Sequence, residues 1–336
     1  MQPALERLRS ILILRYSALG DVVLATSVLD PLRERYPDAK IEWVVDSNYA
    51  PLLDGLPQLH RVHRLKLRSR GALRRLIGEV QGRFDVAIDL QNKVRTRVLS
   101  FAASERTVRF VKRGPVEAAM SLLGREQIID RVRTTEMYAE ALAPLGVTGP
   151  GPLHISVSEA ARTEAAKVMA GCTRAPVTIA PGSRWATKRW GPEKFARVAE
   201  ALHSAGEVIA LAGGPGDVET LNAFRSACRV PISADLSALS VEGLAAAIGA
   251  SKLLVACDSG PVHIATALGV PSVVVFGPTS IRRWGPPAPS ISVSLQLSCS
   301  PCTNHGLELC PLGHHNCMRQ LEPEAVIDAA LRLRSG

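Results

Sequence analysis

The sequence is poor in aromatic residues, which form only 4% of its 336 residues, and it has no long apolar run. A helix that spans a membrane needs roughly 20 consecutive apolar residues, and no segment approaches that length. The N-terminal region lacks the long apolar stretch and small-residue cleavage site of a secretory signal peptide, since the apolar run at residues 11–14 is too short. These absences predict a soluble cytoplasmic protein.

Two well-known nucleotide-binding patterns are also missing from the sequence. Gly-x-Gly-x-x-Gly, which opens many dinucleotide-binding domains, does not occur, and neither does the P-loop pattern Gly-x4-Gly-Lys-Ser/Thr. A nicotinamide cofactor and a P-loop are therefore disfavoured.

Positive charge exceeds negative charge, since 40 Lys and Arg against 31 Asp and Glu give a formal net charge of +9. Arginine is concentrated between residues 61 and 113. Such a patch can bind nucleic acid, an anionic membrane surface or a phosphorylated substrate, or it can be a solvated basic face. Nucleic acid is the least favoured partner because aromatic residues are not interleaved with the basic ones.

Short apolar runs alternate with amphipathic segments along the chain, which predicts an α/β protein with doubly wound parallel sheets. Strands are predicted at residues 10–14, 41–45, 62–65, 84–90, 107–111, 177–180, 207–211, 252–257 and 271–276. Helices are predicted at residues 21–36, 72–80, 192–204, 240–248, 264–268 and 323–333, and from residue 217 onward. The Gly- and Pro-rich stretch 143–152 divides the chain. We expect Rossmann-like domains at residues 1–150 and 151–320, facing each other across a cleft, and a C-terminal helix within residues 321–336.

The turn Asp258-Ser-Gly-Pro-Val-His263 carries the clearest functional signal, because it joins a buried strand to a helix. Small residues at such a turn leave backbone N–H groups and the positive end of a helix dipole at the carboxyl edge of a sheet. An anion such as a pyrophosphate is predicted to bind there. Asp258, just ahead of the turn, suggests a ligand that also carries hydroxyl groups.

Two further strand-end loops in the second half favour a nucleotide diphosphate. In the loop 180–192, Gly182 allows close approach of a ligand, Ser183 supplies a hydroxyl, and Lys188 with Arg189 supplies positive charge. The alternative is an ordinary basic loop. Asp217 follows the glycine turn 213–216 and is a candidate for a ribose contact, although such a turn is also common without a ligand.

The first half has one comparable loop, Arg15-Tyr-Ser-Ala-Leu-Gly-Asp21. A carboxylate at the start of a helix beside a cleft can act as a general base. Asp is also a favoured helix N-cap, and from this residue alone the cap interpretation is preferred. The two roles are compatible.

Four of the seven cysteines are clustered near the C-terminus, at Cys299, Cys302, Cys310 and Cys317. Their spacing could hold zinc or a small iron–sulfur centre. The alternative, which we favour, is a loop of reduced thiols without a resident metal. The other three, Cys172, Cys228 and Cys257, are expected to be buried and inert.

Three segments together resemble one family in order and spacing over nearly the whole chain. They are residues 11–26 (ILILRYSALGDVVLAT), residues 181–183 (PGS) with 188–190 (KRW), and residues 258–263 (DSGPVH) with 265–271 (ATALGVP). They resemble the lipopolysaccharide heptosyltransferases of glycosyltransferase family 9, and the cysteine segment resembles the members that add the second heptose. Ser183 stands where other members carry Thr.

The resemblance implies the GT-B fold and an inverting transfer of heptose from ADP-heptose to the lipopolysaccharide inner core. It implies that Asp21 is the general base and that Lys188 stabilises the leaving ADP. The remaining implied donor contacts are Ser183, Ser259 and Gly260 to phosphate, Asp258 and His263 to the donor sugar, Asp217 to ribose, and Gly182 in the same donor site. The acceptor loop contributes Arg15, Ser17 and Gly20.

The absence of any Asp-x-Asp pattern suggests that protein groups alone neutralise the diphosphate. No cofactor is expected to be required, although a divalent metal could assist. The expected partners are ADP-heptose and the lipopolysaccharide acceptor, with no nucleic acid. A lipid-embedded acceptor is compatible with peripheral contact at the cytoplasmic face of the inner membrane. The alternatives are a GT-B transferase with another sugar nucleotide or glycan acceptor, and a non-catalytic nucleotide-sugar binding protein.

Overall fold

The computed structural model describes residues 7–66, 69, 71–110 and 132–334. These residues form two compact α/β units, one of residues 7–110 and 133–156 and the other of residues 132 and 157–334. The division after Ser156 lies six residues beyond the domain boundary that the sequence predicts. None of the helices in these described ranges is long and apolar enough to cross a membrane.

The first unit contains a five-stranded sheet in the order β3-β2-β1-β4-β5, and every neighbouring pair is parallel. Its strands are β1 (Ser10–Leu14), β2 (Lys40–Asp46), β3 (Arg61–Leu65), β4 (Val86–Asp89) and β5 (Thr107–Arg109). Its helices are α1 (Leu19–Ala25), α2 (Leu29–Arg35), α3 (Ala72–Val80), α4 (Val94–Ala103) and α5 (Thr134–Ala141). The predicted strand 107–111 ends at Arg109, and Val111 lies outside the described residues.

The second unit contains a six-stranded parallel sheet in the order β11-β10-β9-β6-β7-β8. Its strands are β6 (Val177–Ala180), β7 (Ile209–Leu211), β8 (Ala234–Asp235), β9 (Leu253–Cys257), β10 (Ser272–Val275) and β11 (Ile291–Val293). Its helices are α6 (Glu159–Val168), α7 (Pro192–Ser204), α8 (Val218–Ala227), α9 (Val241–Gly249), α10 (Gly260–Ala267), α11 (Ile281–Trp284), α12 (Asn316–Arg319) and α13 (Pro323–Arg334).

The central strands form because their residues are apolar on both faces. All five residues of β9 are fully buried, and so are Ile11, Leu12, Ile13 and Leu14 of β1. A parallel strand covered by helices on both sides reads as a continuous apolar run, which is why the sequence predicts these strands closely. Both sheets reverse strand order once, between β1 and β4 in the first and between β6 and β9 in the second. Loops at such reversals are the usual ligand sites of doubly wound sheets.

The single helix predicted at residues 21–36 is wrong, because the structure divides it into α1, a 3-10 turn (Thr26–Val28) and α2. Pro31 lies in the first turn of α2 and has no N–H group, so it cannot bond to the carbonyl of Ser27. The N–H of Gly151 donates to that carbonyl instead, at 2.8 Å. This hydrogen bond connects the start of α2 to the last segment of the first unit.

The predicted start of the helix at Ile264 is also wrong, because α10 begins at Gly260. Pro261 occupies its first turn, where a missing N–H group costs no helical hydrogen bond. His263 is therefore part of the helix rather than of the turn before it.

Candidate functional site

The loops predicted to bind the donor lie together at the carboxyl edge of the second sheet. Gly182 and Ser183 follow β6, and Asp258 and Ser259 follow β9, which pairs directly with β6. Thr279 follows β10, the next strand along. Because the strands are parallel and adjacent, their ends place these residues beside one another at the reversal of strand order.

Lys188 and Asp258 form an ion pair at this edge. The ammonium Nζ of Lys188 lies 2.7 Å from Oδ2 of Asp258, and their side chains are only 12% and 6% exposed. The hydroxyl of Thr279 donates to the same carboxylate oxygen at 2.6 Å. Burial by itself raises the pKa of Asp258, but Lys188, the Thr279 hydroxyl and His263 outweigh it and hold the pKa below its usual value. The edge therefore carries a largely buried ammonium whose counter-charge is a buried carboxylate.

The helix that follows Asp258 begins without a side-chain cap. Ser259 is the N-cap residue of α10 and has an extended backbone, but its side chain accepts no hydrogen bond from the helix. The Ser259 hydroxyl donates instead to the carbonyl of Cys257 at 3.1 Å. His263, 5% exposed, lies one turn into α10, with its ring centroid 6.4 Å from that of Trp284. The start of α10, including Gly260, thus lies next to the Lys188–Asp258 pair.

The sequence analysis explains Gly182 by the close approach of a ligand, but in the structure the side chain of Asp217 occupies that space. A Cβ atom at this position would lie 2.3 Å from Cγ of Asp217, so it is a protein carboxylate that approaches the backbone here. Asp217 also accepts a hydrogen bond from the N–H of Gly214 at 2.9 Å. Asp217 is partly buried and is packed directly against the loop after β6.

The loop that carries Lys188 is braced by the C-terminal segment. The N–H of Thr187 donates to the carbonyl of Leu307 at 3.0 Å, and the Thr187 hydroxyl donates to the same carbonyl at 2.8 Å. The ring nitrogen Nε2 of His315 lies 2.7 Å from the carbonyl oxygen of Thr187. The cysteine-containing segment therefore holds the residue next to Lys188, a contact that the sequence analysis missed.

None of the four clustered cysteines forms a disulfide bond. Within the described ranges, no group of three or more His, Cys, Asp or Glu side chains is arranged to hold a metal ion. Burial, with Cys299 and Cys310 nearby, raises the pKa of Cys317 to about 11. The expectation of three buried isolated thiols is correct for Cys257 and wrong for Cys172 and Cys228, which are partly exposed.

In the first unit, the loop after β1 brings Arg15 and Asp21 together. Nη2 of Arg15 lies 2.7 Å from Oδ1 of Asp21, and the hydroxyl of Tyr138 donates to the same oxygen at 3.2 Å. Burial alone lowers the pKa of Arg15, but Tyr138, Asp21 and Asp89 together raise it. Asp21 is not the helix cap that the sequence analysis preferred, because Ala18 is the N-cap residue of α1 and Asp21 lies in its first turn.

Ser17 of this loop lies beside the end of β4. The N–H of Ser17 donates to Oε1 of Gln91 at 3.3 Å, and Gly20 is a partly buried residue of the first turn of α1. Arg15 donates through Nη1 to the carbonyl of Leu90 at 2.6 Å, which fixes it between the two strand ends. The Arg15–Asp21 pair thus lies at the reversal between β1 and β4.

Comparison with known proteins gives the family. The model of glycosyltransferase family 9 (heptosyltransferase) matches residues 70–311. Lipopolysaccharide heptosyltransferase 3 of Escherichia coli is 25% identical over 285 residues, which cover 80% of this chain and 83% of that protein.

Solved structures with similar folds point to the same family. A glycosyltransferase family 9 structure from Veillonella parvula superimposes with a TM-score of 0.83 and 25% identity, covering 97% of each chain. The Escherichia coli ADP-heptose lipopolysaccharide heptosyltransferase II has a TM-score of 0.73 at 22% identity, covering 97% of this chain and 98% of that one. The two parallel α/β units and these likenesses confirm the predicted GT-B fold. The family model covers well over half of the chain, and the chain belongs to glycosyltransferase family 9, the heptosyltransferases.

Proposed function

We propose that this glycosyltransferase moves heptose from ADP-heptose to the inner core of lipopolysaccharide, with inversion at the anomeric carbon. The observation that carries the proposal is the ion pair of Lys188 and Asp258, 2.7 Å apart at the strand-order reversal of the second sheet. It supplies a largely buried cation where doubly wound sheets bind phosphates. Family membership supports a diphosphate-sugar as the anion.

Lys188 acts on the leaving group in this proposal. As the bond between the anomeric carbon and the diphosphate breaks, negative charge grows on the phosphate oxygen. An ammonium already fixed nearby stabilises that charge without reorganisation, which is the largest electrostatic contribution in many enzymes. Gly182, Ser183, Ser259 and Gly260 hold the phosphate oxygens through the two adjacent strand-end loops.

Asp258 and His263 contact the donor sugar, and Asp217 contacts the ribose. Asp258 has one carboxylate oxygen engaged by both Lys188 and Thr279, which leaves its other oxygen for a sugar hydroxyl. Asp217 offers a partly buried carboxylate beside Gly182, within the same group of loops.

Asp21 is the general base. Its carboxylate takes the proton of the acceptor hydroxyl as that oxygen attacks the anomeric carbon and ADP leaves from the opposite face. The guanidinium of Arg15 favours the ionised carboxylate, which is the form that accepts a proton. Arg15 and Tyr138 both bond to Oδ1, which fixes the orientation of the carboxylate.

The proposal includes no required cofactor, and the lipid-embedded acceptor places the reaction at the cytoplasmic face of the inner membrane. A mass-shift assay tests it by offering ADP-heptose with two heptose-deficient cores, one bare and one bearing a single heptose. Addition to the bare core alone identifies a first-heptose transferase, and addition to the longer core alone a second-heptose transferase. No transfer to either core, with ADP still bound, would contradict the proposal and favour another acceptor or a binding role.

Matched variants test the two central roles. Asp21→Asn is expected to lower transfer by about 10² to 10⁴-fold while ADP binding persists. Its control is Asp30→Asn, which alters a partly exposed carboxylate paired with His154 in the same unit.

Lys188→Ala is expected to weaken ADP binding and transfer together, by roughly 10²-fold or more. Its control is Lys252→Ala, which removes a lysine paired with Glu207 at 3.0 Å, just before β9 and thus at the opposite edge of the sheet. Near-normal activity of Asp21→Asn would contradict the base assignment.

A further inference from the structure

Helix α4 presents an apolar stripe to solvent. Val94, Val98 and Phe101 are 78%, 44% and 85% exposed, which is unusual for large apolar side chains. At 3.6 residues per turn, positions 94, 98 and 101 lie within about 60° of one another on the helix. They therefore form one continuous strip along the helix, which we call the α4 stripe.

The buried face of α4 carries two polar residues beside two apolar ones. Thr96 and Ser100 are fully buried with Leu99 and Ala103. Their hydroxyls are satisfied locally, because Thr96 donates to the carbonyl of Lys93 at 2.9 Å and Ser100 to that of Arg97 at 3.0 Å. An ordinary surface helix keeps its large apolar residues on the inward face. Packing among the described residues of the unit therefore does not explain why the α4 stripe is apolar.

Basic residues flank the α4 stripe on both sides. Lys93, Arg95 and Arg97 are exposed, and residues 91–104 contain no Asp or Glu. On the helix, Arg95 and Arg97 lie roughly 60–100° to either side of the stripe. An apolar strip between like charges of positive sign matches an anionic bilayer surface, where the apolar groups enter the headgroup region and the cations meet the lipid phosphates.

The α4 stripe is too small for a stable protein partner. A specific protein interface buries about 800 Å² on each side, several times what three side chains can supply. A bilayer needs no such area, because its binding energy comes from a few inserted apolar groups added to the attraction between cations and anionic lipids.

We infer that the α4 stripe and its flanking cations dock this protein on the anionic surface of a membrane. The N-terminal end of α4 also lines a groove with Tyr16, Asn92, Lys93, Arg95 and Arg97. Tyr16 directly follows Arg15 in the loop that leads to Asp21. The docking helix therefore begins beside the acceptor loop, so that, given the proposed function, docking holds that loop near the headgroup of a lipid-embedded acceptor.

Vesicle co-sedimentation of the full chain tests the inference. The probes are vesicles of phosphatidylglycerol with phosphatidylcholine, and vesicles of phosphatidylcholine alone. Val98→Ser with Phe101→Ser is expected to lower binding to the anionic vesicles at least tenfold. Arg95→Gln with Arg97→Gln is expected to lower it about thirtyfold on the anionic vesicles and hardly at all on the neutral ones.

The matched control is Leu309→Ser with Leu312→Ser, which removes two side chains that are 82% and 61% exposed in the second unit. This control variant should bind vesicles like the parent. Equal losses of vesicle binding in the control and in Val98→Ser with Phe101→Ser would overturn the inference. A parent that elutes as a dimer, with Val98→Ser and Phe101→Ser producing monomers and leaving vesicle binding intact, would assign the face to a second copy instead. If Val98→Ser with Phe101→Ser loses vesicle binding as expected but the parent protein transfers no heptose, the docking surface stands and only the proposed reaction is removed.

Discussion

Asp258→Asn is the substitution that separates the two roles of the Lys188–Asp258 pair. It removes the charge of a carboxylate that is 4% exposed and keeps its shape. Lys188, with its side chain 12% exposed, then holds an ammonium without its counter-charge. Breaking a buried ion pair from one side typically costs about 3–5 kcal/mol. Because asparagine can still accept hydrogen bonds, we expect a loss of unfolding free energy of about 3 kcal/mol, which lowers Tm by roughly 6–12 °C.

The same variant should bind ADP more tightly. Asp258 competes with a diphosphate for Lys188 and adds a negative charge beside it. Its neutralisation removes both effects, so we expect ADP affinity to rise at least tenfold, which corresponds to about 1.4 kcal/mol. Thermal unfolding with and without ADP measures both quantities, and ADP should raise the Tm of the variant by more than that of the parent. An unchanged or weaker ADP effect in a folded variant would refute the placement of the diphosphate at Lys188.

The control for Asp258→Asn is Asp235→Asn, because Asp235 also pairs with a cation, Arg225, but at the surface. Such exposed pairs contribute about 0–1 kcal/mol, so Tm should change little. The pH dependence provides a second check. The pKa of Asp258 is depressed in the folded protein, so its stabilisation is complete above the ordinary Asp pKa of about 3.9 and is lost as pH falls through the lower folded value. The stability difference between parent and Asp258→Asn should therefore be constant near neutral pH and shrink below about pH 4.

Three further predictions concern single positions. Gly182→Ala should displace the carboxylate of Asp217, whose Cγ lies 2.3 Å from the added Cβ, and should cost roughly 1–3 kcal/mol of unfolding free energy in a denaturant titration. In the same titration Gly216→Ala, where nothing lies within 4 Å of the added Cβ, should cost well under 1 kcal/mol. Tyr138→Phe removes one hydrogen bond to the proposed base and should lower kcat about tenfold, with KM for the sugar nucleotide unchanged; a kcat equal to that of the parent would contradict the positioning role. Cys257 is fully buried and burial raises its pKa to about 12, so alkylation at pH 8 followed by peptide mass mapping should find it unmodified in the folded protein and modified after denaturation.

The strands and the adjacency of the loops could be predicted because they depend on local patterns. A buried parallel strand is a continuous apolar run, and strand order then decides which loops meet. Residues 10–14 and 177–180 coincide with β1 and β6, and the loops at residues 181–183 and 258–260 meet because β6 and β9 are neighbours.

The contacts that complete each cluster could not be predicted, because they join distant parts of the chain. Tyr138 bonds to Asp21 across 117 residues, and His315 meets Thr187 across 128. No periodicity or motif marks such pairs in one sequence. Thr279 is a similar case, since its hydroxyl is one of many in the sequence and only its place after β10 sets it beside Asp258.

The discontinuity of the first unit has a consequence for biosynthesis. About 47 residues separate the end of β5 at Arg109 from Ser156, the last residue that belongs to that unit. At translation rates of roughly 5–20 residues per second, synthesis of these residues takes about 2–9 s. They include the segment that supplies Tyr138 and the Gly151 contact to the start of α2. Until that segment has also emerged from the ribosome, the sheet is exposed without the residues that contact α1 and α2. Nascent chains of this protein should therefore engage ribosome-associated chaperones most strongly while residues 110–156 are emerging from the ribosome.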